Sequence, residues 1–126
     1  MPRFWNVPVV LAIHDDQIRL YGGSYRVRDW NALASSVSQP AATFGGEFLY
    51  DDLCAMAAAL GHGLITSHPF LDGNKRTGGM ALLTFLAVNG VINKIPETAY
   101  YDLIMAVATG YMDREQLAQS LRRWAP

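Results

Sequence analysis

The chain has one cysteine, Cys54, in 126 residues, which excludes an internal disulfide framework and a multi-cysteine zinc site. Cys54 lies in the apolar run Leu53-Cys54-Ala55-Met56 and reads as a small core residue. Excess charge of one sign is also missing. Ten Lys and Arg stand against eleven Asp and Glu, for a formal charge of −1. That balance argues against a broad basic face for gripping nucleic acid, whose affinity comes from neutralised phosphates. Long hydrophobic runs are absent too. The most apolar stretch, Met80 to Val88, is far shorter than the roughly 20 residues that span a bilayer, and Met1-Pro2-Arg3-Phe4-Trp5 lacks the apolar core of a secretion signal. A cytoplasmic protein without membrane or direct nucleic-acid partners is the expectation. Hydrophobic residues make up 51% of the chain and charged residues 17%, ample material for one folded domain over 1–126.

The periodicity is helical almost throughout. Asn6-Val7-Pro8 opens a first helix, in which Leu11, His14, Ile18 and Tyr21 share a face before Gly22-Gly23 ends it. On that stripe His14 reads as a core histidine bonded to backbone rather than a catalytic one. Asp29 caps a second helix through Trp30, Leu33 and Val37, which stops before Pro40. Between Ala41 and Tyr50, β-formers flank Gly45-Gly46, a pattern that fits a short hairpin flap or a surface loop. A third helix is predicted from about Asp51 to Thr66, with Gly61 and Gly63 allowing another backbone close. A fourth runs from about Lys75 to Asn89, apolar over most of its surface through Met80, Leu82, Leu83, Phe85 and Val88, and is expected to be the central buried helix. Pro96 and Glu97 open a fifth that ends near Gly110. Asp113 and Gln116 form a capping pair for a sixth, whose inner face carries Leu117, Leu121 and Trp124, with Arg122 and Arg123 read as a solvated face. Phe4, Trp5 and Trp30 fit either core or partner contacts. The fold class is therefore all-α, a compact bundle of about six helices with a possible short β-hairpin.

One polar segment breaks the pattern: His68-Pro69-Phe70-Leu71-Asp72-Gly73-Asn74-Lys75-Arg76-Thr77. A plain connection between two apolar helices needs only a few turn residues. Here each position suits a nucleotide. Gly73 and Asn74 tolerate the backbone angles that converge N–H groups on an anion, and the following helix aims its own free N–H groups the same way. Lys75 and Arg76 add charge for phosphate oxygens. Asp72 suits a phosphate-bound Mg²⁺, which takes only one or two carboxylates. His68 can accept a proton from a hydroxyl nucleophile. Phe70 reads as the buried anchor of the loop. Thr77 can either touch phosphate or cap the helix.

These nine residues, His68 to Arg76, resemble the Fic/Doc signature H-x-F-x-(D/E)-(G/A)-N-(G/K)-R. Ala12-Ile13-His14-Asp15 with Tyr21-Gly22-Gly23, then Asn89-Gly90-Val91 and Ala108-Thr109-Gly110, look like the death-on-curing (Doc) toxin branch, so the resemblance covers nearly the whole chain. It implies a Fic fold with His68 as general base, Asp72 on Mg²⁺, and Gly73, Asn74 and Lys75 as the anion loop. Arg76 would contact nucleotide phosphates, and 41–50 would be a flap that aligns the target backbone. AMP-transferring relatives usually have Gly where this chain has Lys75, and a second Arg where it has Gly79. Many Doc proteins have Ala where this chain has Gly73.

The leading reading is the toxin of a toxin–antitoxin pair, a kinase that uses ATP and Mg²⁺ to phosphorylate a Ser or Thr hydroxyl on a translation factor, elongation factor Tu by family analogy. An AMP transferase and a non-catalytic nucleotide- or partner-binding module are the alternatives. The self-inhibitory pattern (S/T)-x-x-x-E-(G/N) is missing, since Glu97 and Glu115 lack that context. An external, Phd-like antitoxin that inserts a helix into an apolar groove is therefore expected.

Overall fold

Local capping signals decide where the helices begin. In the computed structural model, which describes residues 1–125, six helices appear in the predicted order. They are α1 (Val7–Tyr21), α2 (Trp30–Ser38), α3 (Leu53–Thr66), α4 (Asn74–Val88), α5 (Glu97–Ala108) and α6 (Arg114–Trp124). The Asn6 side chain accepts from Val9 N–H at α1, Asp29 from Ala32 N–H at α2, and Asp52 from Ala55 N–H at α3. At α6, Asp113 and Gln116 form a reciprocal capping box. The 41–50 stretch does form a hairpin. Strands β1 (Thr43–Phe44) and β2 (Glu47–Phe48) pair antiparallel, with Thr43 opposite Phe48. Gly45 and Gly46 both take positive φ at the turn, as a two-residue hairpin of the right twist requires. A 3₁₀ turn over Gln39–Ala41 links α2 to this hairpin.

The bundle is centred differently from the sequence expectation. Helix α3 is the most enclosed element: Cys54, Met56 to Gly61, Leu64 and Ile65 are all buried. It packs against α2, α4, α5 and α6. Helix α4 buries one broad face through Gly78, Ala81, Leu82, Phe85 and Leu86, but Met80 is 37% exposed and Leu83 and Val88 are half-buried. Small residues explain the closeness of the pair. A Cβ on Gly61 would meet the Leu82 side chain at 2.3 Å, and one on Gly78 would meet Ile65 at 2.7 Å. Two aromatic positions are also corrected. Tyr21 is exposed rather than on a buried face, and Trp124 is only half-buried. Trp30, for which the sequence leaves core and partner contacts both open, is exposed. Phe4 and Trp5 pack against the core instead: Phe4 lies edge-on to Phe48 and stacks on Phe85, and Trp5 donates its indole N–H to Ala81 O. No helix among the described residues is long and apolar enough to cross a membrane.

Arg122 does more than face solvent. Its guanidinium grips both oxygens of Asp52, at 2.7 and 3.2 Å, and so braces α6 against the start of α3. The same bond holds the Asp52 carboxyl below the usual carboxylate range, outweighing its partial burial. A depressed folded value adds stability that is present above the ordinary carboxylate range and is lost as pH falls through the lower value. Both partners are nearly half exposed, so the pair is worth only about 0.5–1 kcal/mol. Asp52→Asn keeps a capping oxygen but loses the charge. Urea unfolding should show that deficit at about pH 7 and none at about pH 2.

Candidate active site

Helix α3 ends at Ser67, whose hydroxyl returns to Gly63 O at 2.7 Å. The next residue, His68, has φ +51°, the one positive φ of a non-glycine residue among those described. Its side chain is exposed, and its ring makes no hydrogen bond to the described residues. From there the loop runs as a short strand beside residues 26–29. Arg28 N–H and Asp29 N–H both donate to Pro69 O, Leu71 N–H donates to Arg26 O, and Val27 bridges Phe70 antiparallel. The Arg28 side chain extends the contact. Its Nε donates to His68 O at 2.6 Å and its Nη2 to Ser67 O at 2.9 Å.

Phe70 is the anchor the sequence promised. It is 1% exposed and stacks flat on the His14 ring, with centroids 3.7 Å apart. His14 is fully buried, and its Nε2 lies 2.8 Å from the Asp72 carbonyl oxygen. A carbonyl only accepts, so Nε2 carries the proton and Nδ1 is left without a partner. Asn74 turns its side chain back on the loop, accepting from Phe70 N–H and donating to Phe70 O. Asp72 points outward, exposed, with Oδ2 accepting from Ser24 N–H at 2.8 Å. This contact needs Gly23, where a Cβ would sit 2.9 Å from that of Asp72.

Gly73 follows at φ +81°, a left-handed turn that starts α4. The first intrahelical bond is Thr77 N–H to Gly73 O, so the N–H groups of Asn74, Lys75 and Arg76 lie in the open first turn, at the positive end of the helix dipole. Thr77 itself neither caps nor faces a ligand: its side chain is fully buried and its hydroxyl unpartnered. Lys75 is exposed. Arg76 is half-buried, its guanidinium donating to Gln17 O and Gly22 O at the end of α1 and lying over the Tyr21 ring. Beside them a groove of about 330 Å³ is walled by Met80, Tyr100, Ile104 and Met105, with Lys75 and Arg76 among its lining.

Comparison with known proteins decides the family. The model of the Fic/DOC family matches residues 4–86, which take in α1 to α3, the loop and most of α4. The chain belongs to the Fic/DOC family. It is also 38% identical, over 107 residues, to Toxin Doc of Mycolicibacterium smegmatis (strain ATCC 700084 / mc(2)155), a match covering 83% of this chain and 82% of that protein.

Within the Fic/DOC family, the departure at Gly79 acquires a physical reason. A Cβ there would lie 1.9 Å from the Tyr100 hydroxyl, so Tyr100 fills the space any side chain at 79 needs. Burial pushes the Tyr100 hydroxyl pKa up to about 12, further above neutral pH than an ordinary phenol. A cation site fits only in a limited sense. No group of three or more His, Cys, Asp or Glu is poised for a metal among the described residues. Asp72 Oδ1 is left for one ligand bond, which suits an ion held mainly by phosphates and water.

Sequence reading missed Arg28, Gly23 and Ser24. The glycine pair registered as a helix stop and as part of the Doc-branch resemblance but not as a contact of Asp72, and a side chain that bonds backbone 40 residues away leaves no local pattern. At His68 the strain is testable. Glycine adopts positive φ without a Cβ penalty, so His68→Gly should unfold at higher urea than His68→Ala, by about 1 kcal/mol.

Proposed function

We propose that this chain is the toxin of a toxin–antitoxin pair and a Mg-ATP-dependent protein kinase, acting in the cytoplasm on a Ser or Thr hydroxyl of a translation factor, with elongation factor Tu the first candidate. The carrying observation is the loop from His68 to Arg76. It joins an exposed imidazole, an exposed carboxylate and the open first turn of α4 on a backbone hydrogen-bonded along its length. The likeness to Toxin Doc supports the toxin reading and, with it, an antitoxin partner. Lys75 and the Tyr100-filled space at Gly79 favour transfer of the terminal phosphoryl group, because an AMP transferase of this family would want glycine and arginine there.

In this reading each residue has one task. His68 accepts the proton of the target hydroxyl as that oxygen bonds to the γ-phosphorus and the bond to the departing ADP oxygen breaks. Asp72 would hold Mg²⁺, which when bound would supply neutralisation of phosphate charge. The first-turn N–H groups of α4, with Gly73, Asn74 and Lys75, orient phosphate oxygens. Arg76 adds its positive charge from a guanidinium already braced on α1, leaving part of its donor set for a phosphate. Positioning and charge neutralisation supply most of the acceleration. The apolar groove beside Lys75 and Arg76 is where an antitoxin helix would lie.

The test incubates the protein with Mg²⁺, elongation factor Tu and either γ- or α-labelled ATP, then repeats it in whole-cell extract. Label from the γ position alone is expected, with transfer by His68→Ala lower by at least about 100-fold and helical content unchanged. Label from the α position would make the chain an AMP transferase. No label in either arm, extract included, would make it a non-catalytic binding module.

A further inference from the structure

We propose that Arg28 is a positioning residue for the transfer, whose guanidinium fork holds the His68 backbone at its positive φ and so fixes where the imidazole is presented. Two local preferences oppose the His68 conformation. A side chain with a Cβ disfavours positive φ, and a residue before proline, as His68 is before Pro69, is biased towards extended angles, yet His68 has φ +51°. An unsupported loop would relax to the extended form. What opposes relaxation is the bond pair from Arg28 Nε to His68 O and from Nη2 to Ser67 O, at 2.6 and 2.9 Å. Ser67 caps the C-terminus of α3, where the last acceptors have no helical partner, and His68 O is the next carbonyl along the chain. A planar fork with fixed donor spacing spans both, which an ammonium group cannot do from one point.

The fork stands on a braced base. Arg28 N–H holds Pro69 O, its neighbour Val27 bridges Phe70, and Asp29 is bonded to the same carbonyl while capping α2. Arg28 makes no ion pair with a carboxylate among the described residues. Among the described residues its side chain bonds these two carbonyls alone. Strain held by surrounding structure is common where a side chain must be aimed, and here the strained residue is the proton acceptor of the proposed reaction.

The role in transfer rests on that reading of His68, but the grip does not, so the test has two arms. The first measures the φ-dependent coupling of the His68 amide by nuclear magnetic resonance in the intact chain, Arg28→Ala and Arg28→Lys. The intact chain should report positive φ, and both variants should move towards the extended value. An unchanged coupling in Arg28→Ala would overturn the grip. The second arm measures transfer from γ-labelled ATP. Arg28→Ala should lose about 100-fold in kcat, the scale of a misplaced catalytic group, with KM for ATP within about threefold. Arg28→Lys, which keeps the charge and covers the case in which the alanine variant fails to fold, should recover only a small part. Full recovery with lysine, or a loss confined to KM, would overturn positioning in favour of plain charge. An intact chain that labels nothing yet shows the positive φ would overturn the kinase reading and the catalytic role together, while the coupling result identifies that failure as one of function.

Discussion

Everything distinctive about this molecule depends on one contact, the hydrogen-bonded seam between residues 22–29 and the loop from Ser67 to Asp72. A polar loop between two buried helices carries many backbone groups that would otherwise be unpaired, and each such group costs as much as a lost hydrogen bond. The seam pairs them. Pro69 O takes two N–H groups, Leu71 N–H finds Arg26 O, and Arg28 reaches the carbonyls of Ser67 and His68. From below, the His14 ring supports Phe70 and bonds the Asp72 carbonyl. The loop is thus built like a strand and anchored like a core residue, although the His68 ring and one Asp72 oxygen make no hydrogen bond to the described residues. That arrangement suits chemistry in which placement and charge do most of the work.

How legible was this in the chain? The helix starts were legible because their signals are local: Asn6, Asp29, Asp52 and Asp113 each bond an N–H within three residues. The anchor role of Phe70 and the buried, backbone-bonded His14 were also readable. What escaped is what tertiary contact decides. Apolar composition alone made α4 look central, whereas α3 is the enclosed helix and Met80 faces a groove. Tyr21 fitted a buried stripe, yet its ring lies under the Arg76 guanidinium at the surface. The partners of Arg28 and Arg76 are backbone oxygens, which carry no sequence mark.

The groove side of α4 explains why this member departs from the pattern of AMP-transferring relatives. Glycine at 79 is not a vacancy awaiting an arginine, because the Tyr100 hydroxyl from α5 lies over it. An arginine there would require Tyr100 to move as well. The substitution at one position and the packing of another helix are therefore one structural choice. The same helices enclose the apolar surface next to the N-terminal end of α4, so a partner seated in the groove would sit against Lys75 and Arg76.

A loop preorganised by the seam before any ligand arrives keeps its backbone amides protected in the protein alone. Amide hydrogen exchange addresses this directly. The N–H groups of Ser24, Arg28, Asp29, Phe70 and Leu71 all donate across or within the seam. They should exchange slowly and together, at rates near those of the α4 interior. Fast, independent exchange at these amides, like that of an exposed loop tip such as Gly45-Gly46, would contradict preorganisation by the seam.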